Sequence, residues 1–318
     1  MESTPNCSIV IRAYNEEKHI GQLLAGIMRQ SLDNVEIILV DSGSTDSTVS
    51  IAKQYPVKVV NIHPEEFTFG RSLNLGITNA RGEYIVIASA HVYPVYPDWL
   101  EKLLAPFEDP KVAVTYGKQR GNTTTKFSEQ QFFKQWFPGE SRLRQMHPFC
   151  NNANAAIRRD LWERNPYDET ISGLEDLAWA KWAMGQGYIV SYVAPAEVIH
   201  VHNETPKQVL NRFRREAMAF KHLFPQESFR FHTFLRLYLT NVITDMWQAL
   251  RERKLWKNWG SIMVFRWMQF WGTYLGYRHA GPLTEQLRWL FYYPPGLSSS
   301  QQIQDRGVQP IDYRDVEG

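Results

Sequence analysis

Residues 7–41 read CSIVIRAYNEEKHIGQLLAGIMRQSLDNVEIILVD, and two kinds of periodicity alternate within them. Residues 7–12 (CSIVIR) are a short apolar run rich in β-branched side chains, which predicts a buried strand. Asn15, Glu16 and Glu17 are helix-opening residues, and Ile20, Leu23, Leu24 and Ile27 then recur at helical spacing. Residues 35–40 (VEIILV) predict a second buried strand, ending at Asp41. Strand, helix and strand within about 30 residues make a βαβ unit, whose crossover demands parallel strands.

The same alternation continues outward. It predicts helices at 48–54, 73–80 and 99–107, and strands at 57–62, 84–88 and 112–116. The fold class is therefore α/β: a Rossmann-like, mostly parallel sheet flanked by helices. Such sheets bind ligands at the carboxyl ends of their strands. Asp41 sits at one such end, and Ser89, Ala90 and His91 at another. No GxGxxG or Walker pattern occurs, so dehydrogenase and P-loop readings lack support. Residues 120–150, broken at Pro138 and Gly139, read as a loop or lid. Residues 151–159 lead into a helix starting at Asp160. Residues 176–185 read as a helix and 188–193 as the last strand. From 205 the pattern is helical. Phe231, Phe234, Leu235, Tyr238, Val242, Met246 and Leu250 share one expected face. Trp256, Trp259, Met263, Trp267, Phe270, Trp271 and Tyr274 share another. The expected division is an α/β part at 1–204, a helical extension at 205–295 and a loose polar tail at 296–318.

Composition agrees. The 318 residues are 43% apolar and 21% charged, enough for a core and unlike a disordered or collagenous chain. Two cysteines cannot make a disulfide framework. The net charge of +2 conceals an asymmetry. Residues 205–290 carry 14 Lys/Arg against 5 Asp/Glu and six of the 11 Trp, whereas residues 1–204 carry 19 against 24. Met1 to Cys7 is polar and shows no signal-peptide pattern. Residues 261–277 come closest to a membrane span, and Arg266 and Gln269 interrupt them.

Four motifs stand in order: SIVIRAYNEE at 8–17, DSGSTDST at 41–48, GEYIVI with Ser89–His91 after it, and GLED at 173–176. Together they resemble family 2 glycosyltransferases with the GT-A fold, over roughly residues 7–215. The resemblance implies transfer of a sugar from a nucleotide-sugar donor to a carbohydrate or lipid-linked acceptor. It implies donor contacts at Ala13, Tyr14, Asn15, Glu16, Asp41, Ser42, Ser44, Ser89, Ala90, Asn152 and Asn154, and at Arg71, whose planar fork suits a diphosphate. Asp41, Ser44 and Asp46 also read as turn and cap residues, and Arg71 as a surface arginine.

The family's Asp-x-Asp is here Ser89-Ala90-His91. That segment is similar to the Asp-x-His of polypeptide N-acetylgalactosaminyltransferases, which implies His91 as ligand of a divalent metal, Mn2+ or Mg2+. His200 and His202 of VIHVH supply a second ligand. Strand alternation sends their rings to opposite sides, so one of the two is expected at the metal, with His200 favoured. The other reading is that His91 replaces the metal site altogether. Asp176 is the implied general base, with Glu175 beside it contacting the acceptor; acidic residues also suit a helix N-terminus on dipole grounds. No second acid is needed once the diphosphate is neutralised.

Residues 205–290 combine Trp and Phe faces with Arg251, Arg253, Lys254 and Lys257, a composition suited to peripheral membrane contact. Packing on the catalytic part or in an oligomer is the other reading. Arg212, Arg214, Arg215 and Lys221 either close over the site or form a solvated face. The expectation is thus an inverting glycosyltransferase of polysaccharide or glycolipid synthesis, cytoplasmic or on the membrane's inner face, with no nucleic-acid partner. The competing readings are a retaining or metal-independent transferase of the same fold, and a non-catalytic nucleotide-sugar-binding scaffold.

Overall fold

The computed structural model describes residues 4–171, 173–278, 308–314 and 316. Along the chain run β1 (Cys7–Ala13), α1 (Ile20–Met28), β2 (Val35–Asp41), α2 (Thr48–Ala52), β3 (Val57–Asn61), α3 (Phe69–Thr78), β4 (Tyr84–Ser89), β5 (Val92–Pro94) and α4 (Trp99–Leu104). There follow β6 (Val112–Arg120), α5 (Phe127–Trp136), β7 (Asn154–Arg158), α6 (Arg159–Arg164), α7 (Glu175–Gly185) and β8 (Ile189–His200). Three long helices come next: α8 (Pro206–Leu223), α9 (Phe231–Arg251) and α10 (Leu255–Tyr277).

The strands form one sheet in the order β3-β2-β1-β4-β7-β6-β8-β5. Pairing is parallel from β3 to β4, antiparallel on both sides of β7, and parallel again between β6 and β8. Helices cover both faces, which is why the central strands carry consecutive apolar residues rather than alternating ones. Val10, Ile38, Ile85 and Ile87 pack into one layer. Ile9, Ile11, Ile37, Leu39 and Val86 pack into the other. Register sets the site: Ala13 lies opposite Asp41, and Arg12 opposite Ser89, so three strands end at one edge.

Three sequence expectations are corrected. The lid expected at 120–150 contains α5, whose buried face includes Ser128 and Glu129 beside Phe127, Phe133 and Trp136; polar residues on that face hide the helical period. The stretch before Asp160 contains a strand, β7, whose fully buried Ala155 and Ala156 have little β propensity of their own. The expected faces of α9 and α10 are split: Phe234, Val242 and Phe270 are buried, whereas Leu235, Leu250, Trp256 and Trp259 are exposed.

The tail expected to be loose lies partly outside the described residues. Residues 308–314 dock on the sheet edge: Ile311 N donates to Val95 O, and the Tyr313 ring lies edge-on to Tyr93 at 5.3 Å. Gly26 leaves room for the Tyr313 hydroxyl, which any Cβ there would strike.

Candidate active site

The cleft lies at the carboxyl ends of β1 and β4, and α7 and α8 close it. Its carboxylates come from α7. Leu174, just before that helix, holds a left-handed φ of 59°, a conformation that costs a non-glycine residue roughly 1 kcal/mol or more and marks a site held in place by its surroundings. The turn points Glu175 and Asp176 at the sheet. Arg12 Nη1 meets Glu175 Oε1 at 2.9 Å, and the Asn152 amide side chain lies 3.4 Å from the same oxygen. Asp176 accepts from the backbone N–H of Asn152 at 3.0 Å and of Leu177 at 2.7 Å. Burial first, then the neighbouring Glu175 charge, pushes the Asp176 carboxyl up to about 7 against an ordinary 3.8. A carboxyl at that value holds and releases a proton near neutrality.

Three histidines gather beside it. β5 pairs antiparallel with β8 so that Val92 faces His200, and Val201 N donates to the carbonyl of His91. His91 therefore sits beside both His200 and His202. The opposite-sides expectation for His200 and His202 fails: their ring centroids are 4.1 Å apart, because β8 ends at His200 and alternation no longer governs the next two residues. His91 lies 5.0 Å from His200 and 5.6 Å from His202, centroid to centroid. Nitrogens from all three lie within 4.8 Å of one another.

Each Nδ1 is committed. His91 pairs with Glu16 Oε1 at 2.7 Å, His200 with Gln119 Oε1 at 2.7 Å and His202 with Glu129 Oε1 at 2.8 Å. Gln119 donates from Nε2 to Asn151, so its oxygen accepts from His200. Three Nε2 atoms remain, and that of His200 is buried without a hydrogen-bond partner. Burial holds the His200 and His202 imidazoles well below their usual pKa, hence neutral; His91 and Arg212 add to the effect on both. Neutral imidazoles with Nδ1 anchored by acceptors are the arrangement that ligates a divalent ion. The residues fit a metal, and the donor set suits Mn, Fe, Co or Zn better than Mg.

The remaining expected contacts divide. Asn15, Glu16, Ser89, Asn152 and Asp46 line the cleft. Asn15 holds a positive φ of 54°, its N–H donates to Ser44 Oγ, and its Oδ1 accepts from Thr45 N, tying the first two strand ends together. Ser42 Oγ donates to Ala13 O below the surface. Asp41 accepts from Gly43 N and Ser44 N, so its carboxylate turns the chain. Tyr14 is exposed beside the cleft, and Ala90 is buried in the core. Two expectations are corrected. Asn154 is fully buried, its Nδ2 donating to Lys118 O and Ala196 O and its Oδ1 accepting from Trp99 Nε1; every polar atom is spent inside the sheet. Arg71 lies outside the cleft, exposed and 3.4 Å from Glu66. The cations that do line it are Arg12, Lys18, Arg212 and Arg215. Arg212 is held by Glu129 and Glu204, whereas Arg215 stacks on Phe69 at 4.7 Å and makes no ion pair among the described residues. Arg12, Gln119 and Glu129 were not legible as site residues, because each works through a partner far along the chain.

A second, enclosed chamber of about 120 Å³ adjoins the cleft. Asp176, His200 and His202 border it on one side, and Phe132, Phe133 and Trp136 of α5 on another.

Solved structures share this architecture. The mannosyltransferase PcManGT from Pyrobaculum calidifontis, determined with GDP-mannose and Mn2+, superposes with a TM-score of 0.58 at 19% identity, over 86% of this chain and 85% of that one. The fold is GT-A. Among curated proteins, the O-antigen chain rhamnosyltransferase WbaN of Salmonella anatum is 25% identical over 66% of this chain and 70% of its own length. The O-antigen chain rhamnosyltransferase RfbN of Salmonella typhimurium is 26% identical over 65% and 69%. Residues 8–164 match the model of Glycosyl transferase family 2. The chain is a family 2 glycosyltransferase.

Proposed function

We propose that this enzyme transfers a hexose or deoxyhexose from a nucleoside-diphosphate donor to a saccharide acceptor of a bacterial surface polysaccharide, with inversion. The observation that carries the mechanism is Asp176: a carboxyl raised to about 7, anchored by two backbone N–H groups, in the same cleft as His91, His200 and His202. Asp176 takes the proton from the acceptor hydroxyl as its oxygen attacks the anomeric carbon, and the bond to the diphosphate breaks on the opposite face. His91, His200 and His202 would hold the divalent ion, with Mn2+ favoured over Mg2+ by the imidazole donors. When bound, that ion neutralises the departing diphosphate. Arg215, without a carboxylate partner among the described residues, is available to the same phosphates. Glu175 pairs with Arg12 at 2.9 Å and is assigned to the acceptor side. The two Salmonella rhamnosyltransferases support a polysaccharide acceptor and a rhamnose donor; the Pyrobaculum enzyme supports Mn2+.

The test is a panel of nucleoside-diphosphate sugars, rhamnose and mannose included, scored by thermal stabilisation with and without Mn2+ and then by transfer. A donor that stabilises only with Mn2+ and is turned over supports the reading. Turnover unaffected by excess EDTA overturns the metal role, and full activity of Asp176→Asn overturns the base.

A further inference from the structure

Helices α9 and α10 are packed on one side only. α9 buries Phe234, Leu237, Val242 and Ala249, while Leu235, Leu239, Ile243 and Trp247, four residues apart, point outward. α10 continues that surface with Trp256, Trp259 and Met263, and Trp256 is 90% exposed. The stripes meet at the turn between the helices, where Arg253 takes a positive φ of 58°. Open apolar faces of this kind mark a contact with another phase or molecule.

The charges around the face say which. Arg236, Arg251, Arg253 and Lys257 are exposed and pair with no carboxylate among the described residues. Arg251 lies 4.5 Å over the Trp247 ring. The two acidic residues of the hairpin are already engaged: Asp245 is buried in a bidentate pair with Arg266, and Glu252 is held by Lys134 and Lys254. Indoles rimmed by free cations match a bilayer interface whose headgroups are anionic. A second copy of this chain would bring one basic rim against another. Among the described residues no helix is long and apolar enough to cross a membrane.

We propose that the α9–α10 hairpin seats this chain on an anionic lipid bilayer, with Trp247, Trp256 and Trp259 in the interface and the basic rim on the lipid headgroups. The opposite side of α10 places Gln269, Thr273 and Tyr277 in the wall of the aromatic chamber beside Asp176. A docked hairpin therefore sets that chamber next to the bilayer, where a lipid-linked acceptor is delivered; this corollary rests on Asp176 being the base, and the docking does not.

The experiment is co-sedimentation of the full chain with vesicles of phosphatidylcholine, alone or mixed with phosphatidylglycerol. The expected result is pelleting with the mixed vesicles, weakened as salt screens the rim. Each of Arg251→Gln, Arg253→Gln and Lys257→Gln lowers partitioning about five-fold, equivalent to about 1 kcal/mol per charge. Trp256→Ser with Trp259→Ser lowers it by about ten-fold or more. These side chains are exposed, so thermal midpoints and nucleotide-sugar binding stay at wild-type values. Binding indifferent to lipid charge and to all five substitutions overturns the proposal. So does absence of pelleting together with a dimer that the Trp pair dissolves. Failure of docking with donor binding intact leaves the glycosyltransferase reading standing, and docking that survives a fully active Asp176→Asn separates the two the other way.

Discussion

Nδ1 of His200 donates to Oε1 of Gln119 across 2.7 Å, and Gln119 in turn donates from Nε2 to Oδ1 of Asn151 across 3.1 Å. This chain fixes the tautomer and leaves the buried Nε2 as a lone pair facing His91 and His202. Gln119→Ala removes the anchor without touching a ligand. Loss of a partner that orients a metal-binding histidine costs about 10- to 100-fold in metal affinity. Calorimetric titration with Mn2+ should show that loss, and His200→Ala should show a larger one. Equal affinity of wild type and Gln119→Ala would remove Gln119 from the site.

The residue types of this centre were legible in the sequence, but their geometry was not. His91 stood at a strand end in a motif position, and His200 and His202 stood after the last strand. Their convergence depends on β5, a three-residue strand too short to announce itself, pairing with β8. Asn152 and Asn154 illustrate the same limit. Both sit in one polar run, yet β7 begins at Asn154 and turns it into the core, while Asn152 remains in the cleft. The βαβ units, by contrast, were readable because β1, β2 and β4 are buried on both faces and so carry apolar runs, Ile9–Ile11, Ile37–Val40 and Ile85–Ala88, at their centres.

The Asp176 carboxyl makes a pH signature. As a base it works ionised, so kcat/KM should rise with pH along a limb centred at about 7. Glu175→Gln removes the neighbouring negative charge and should move the limb to lower pH. Stability carries the opposite sign. The unfolded carboxyl ionises near 3.8 and the folded one near 7, so between these values folding takes up a proton and the Asp176 contribution declines as pH rises. Relative to wild type, Asp176→Asn should therefore gain stability from pH 4 to pH 8, read as a change in the difference between their thermal midpoints. A pH-independent difference would place the raised pKa elsewhere.

Arg12 and Glu175 join β1 to α7 through one ion pair, with side chains 16% and 6% exposed. Arg12→Met leaves Glu175 facing the protein interior without its partner. Breaking one side of a buried pair costs about 3 kcal/mol or more. Denaturant unfolding should show a loss of that order, and adding Glu175→Gln should restore much of it, because no charge then remains unpaired. Additive losses in the double variant would mean that the pair itself contributes little.

Two arginines are candidates for the diphosphate of the proposed donor, and their surroundings separate them. Arg71 sits in the segment where the family resemblance led us to expect phosphate contact, yet its guanidinium is exposed, turned toward Glu66 and outside the cleft. Arg215 comes from α8, lies over Phe69, faces the cleft and makes no ion pair among the described residues. A guanidinium reserved for charge that develops on a leaving group acts in the transition state more than in the ground state. Its removal therefore lowers kcat rather than raising KM. Arg215→Ala should cost about 100-fold in kcat, the scale seen when one preorganised donor to a developing anion is lost. Arg71→Ala should leave kcat within about two-fold, since an exposed pair with Glu66 contributes at most about 1 kcal/mol even to stability. The reverse ranking in steady-state transfer assays would return the diphosphate to Arg71 and require α3 to move toward the cleft when the donor binds.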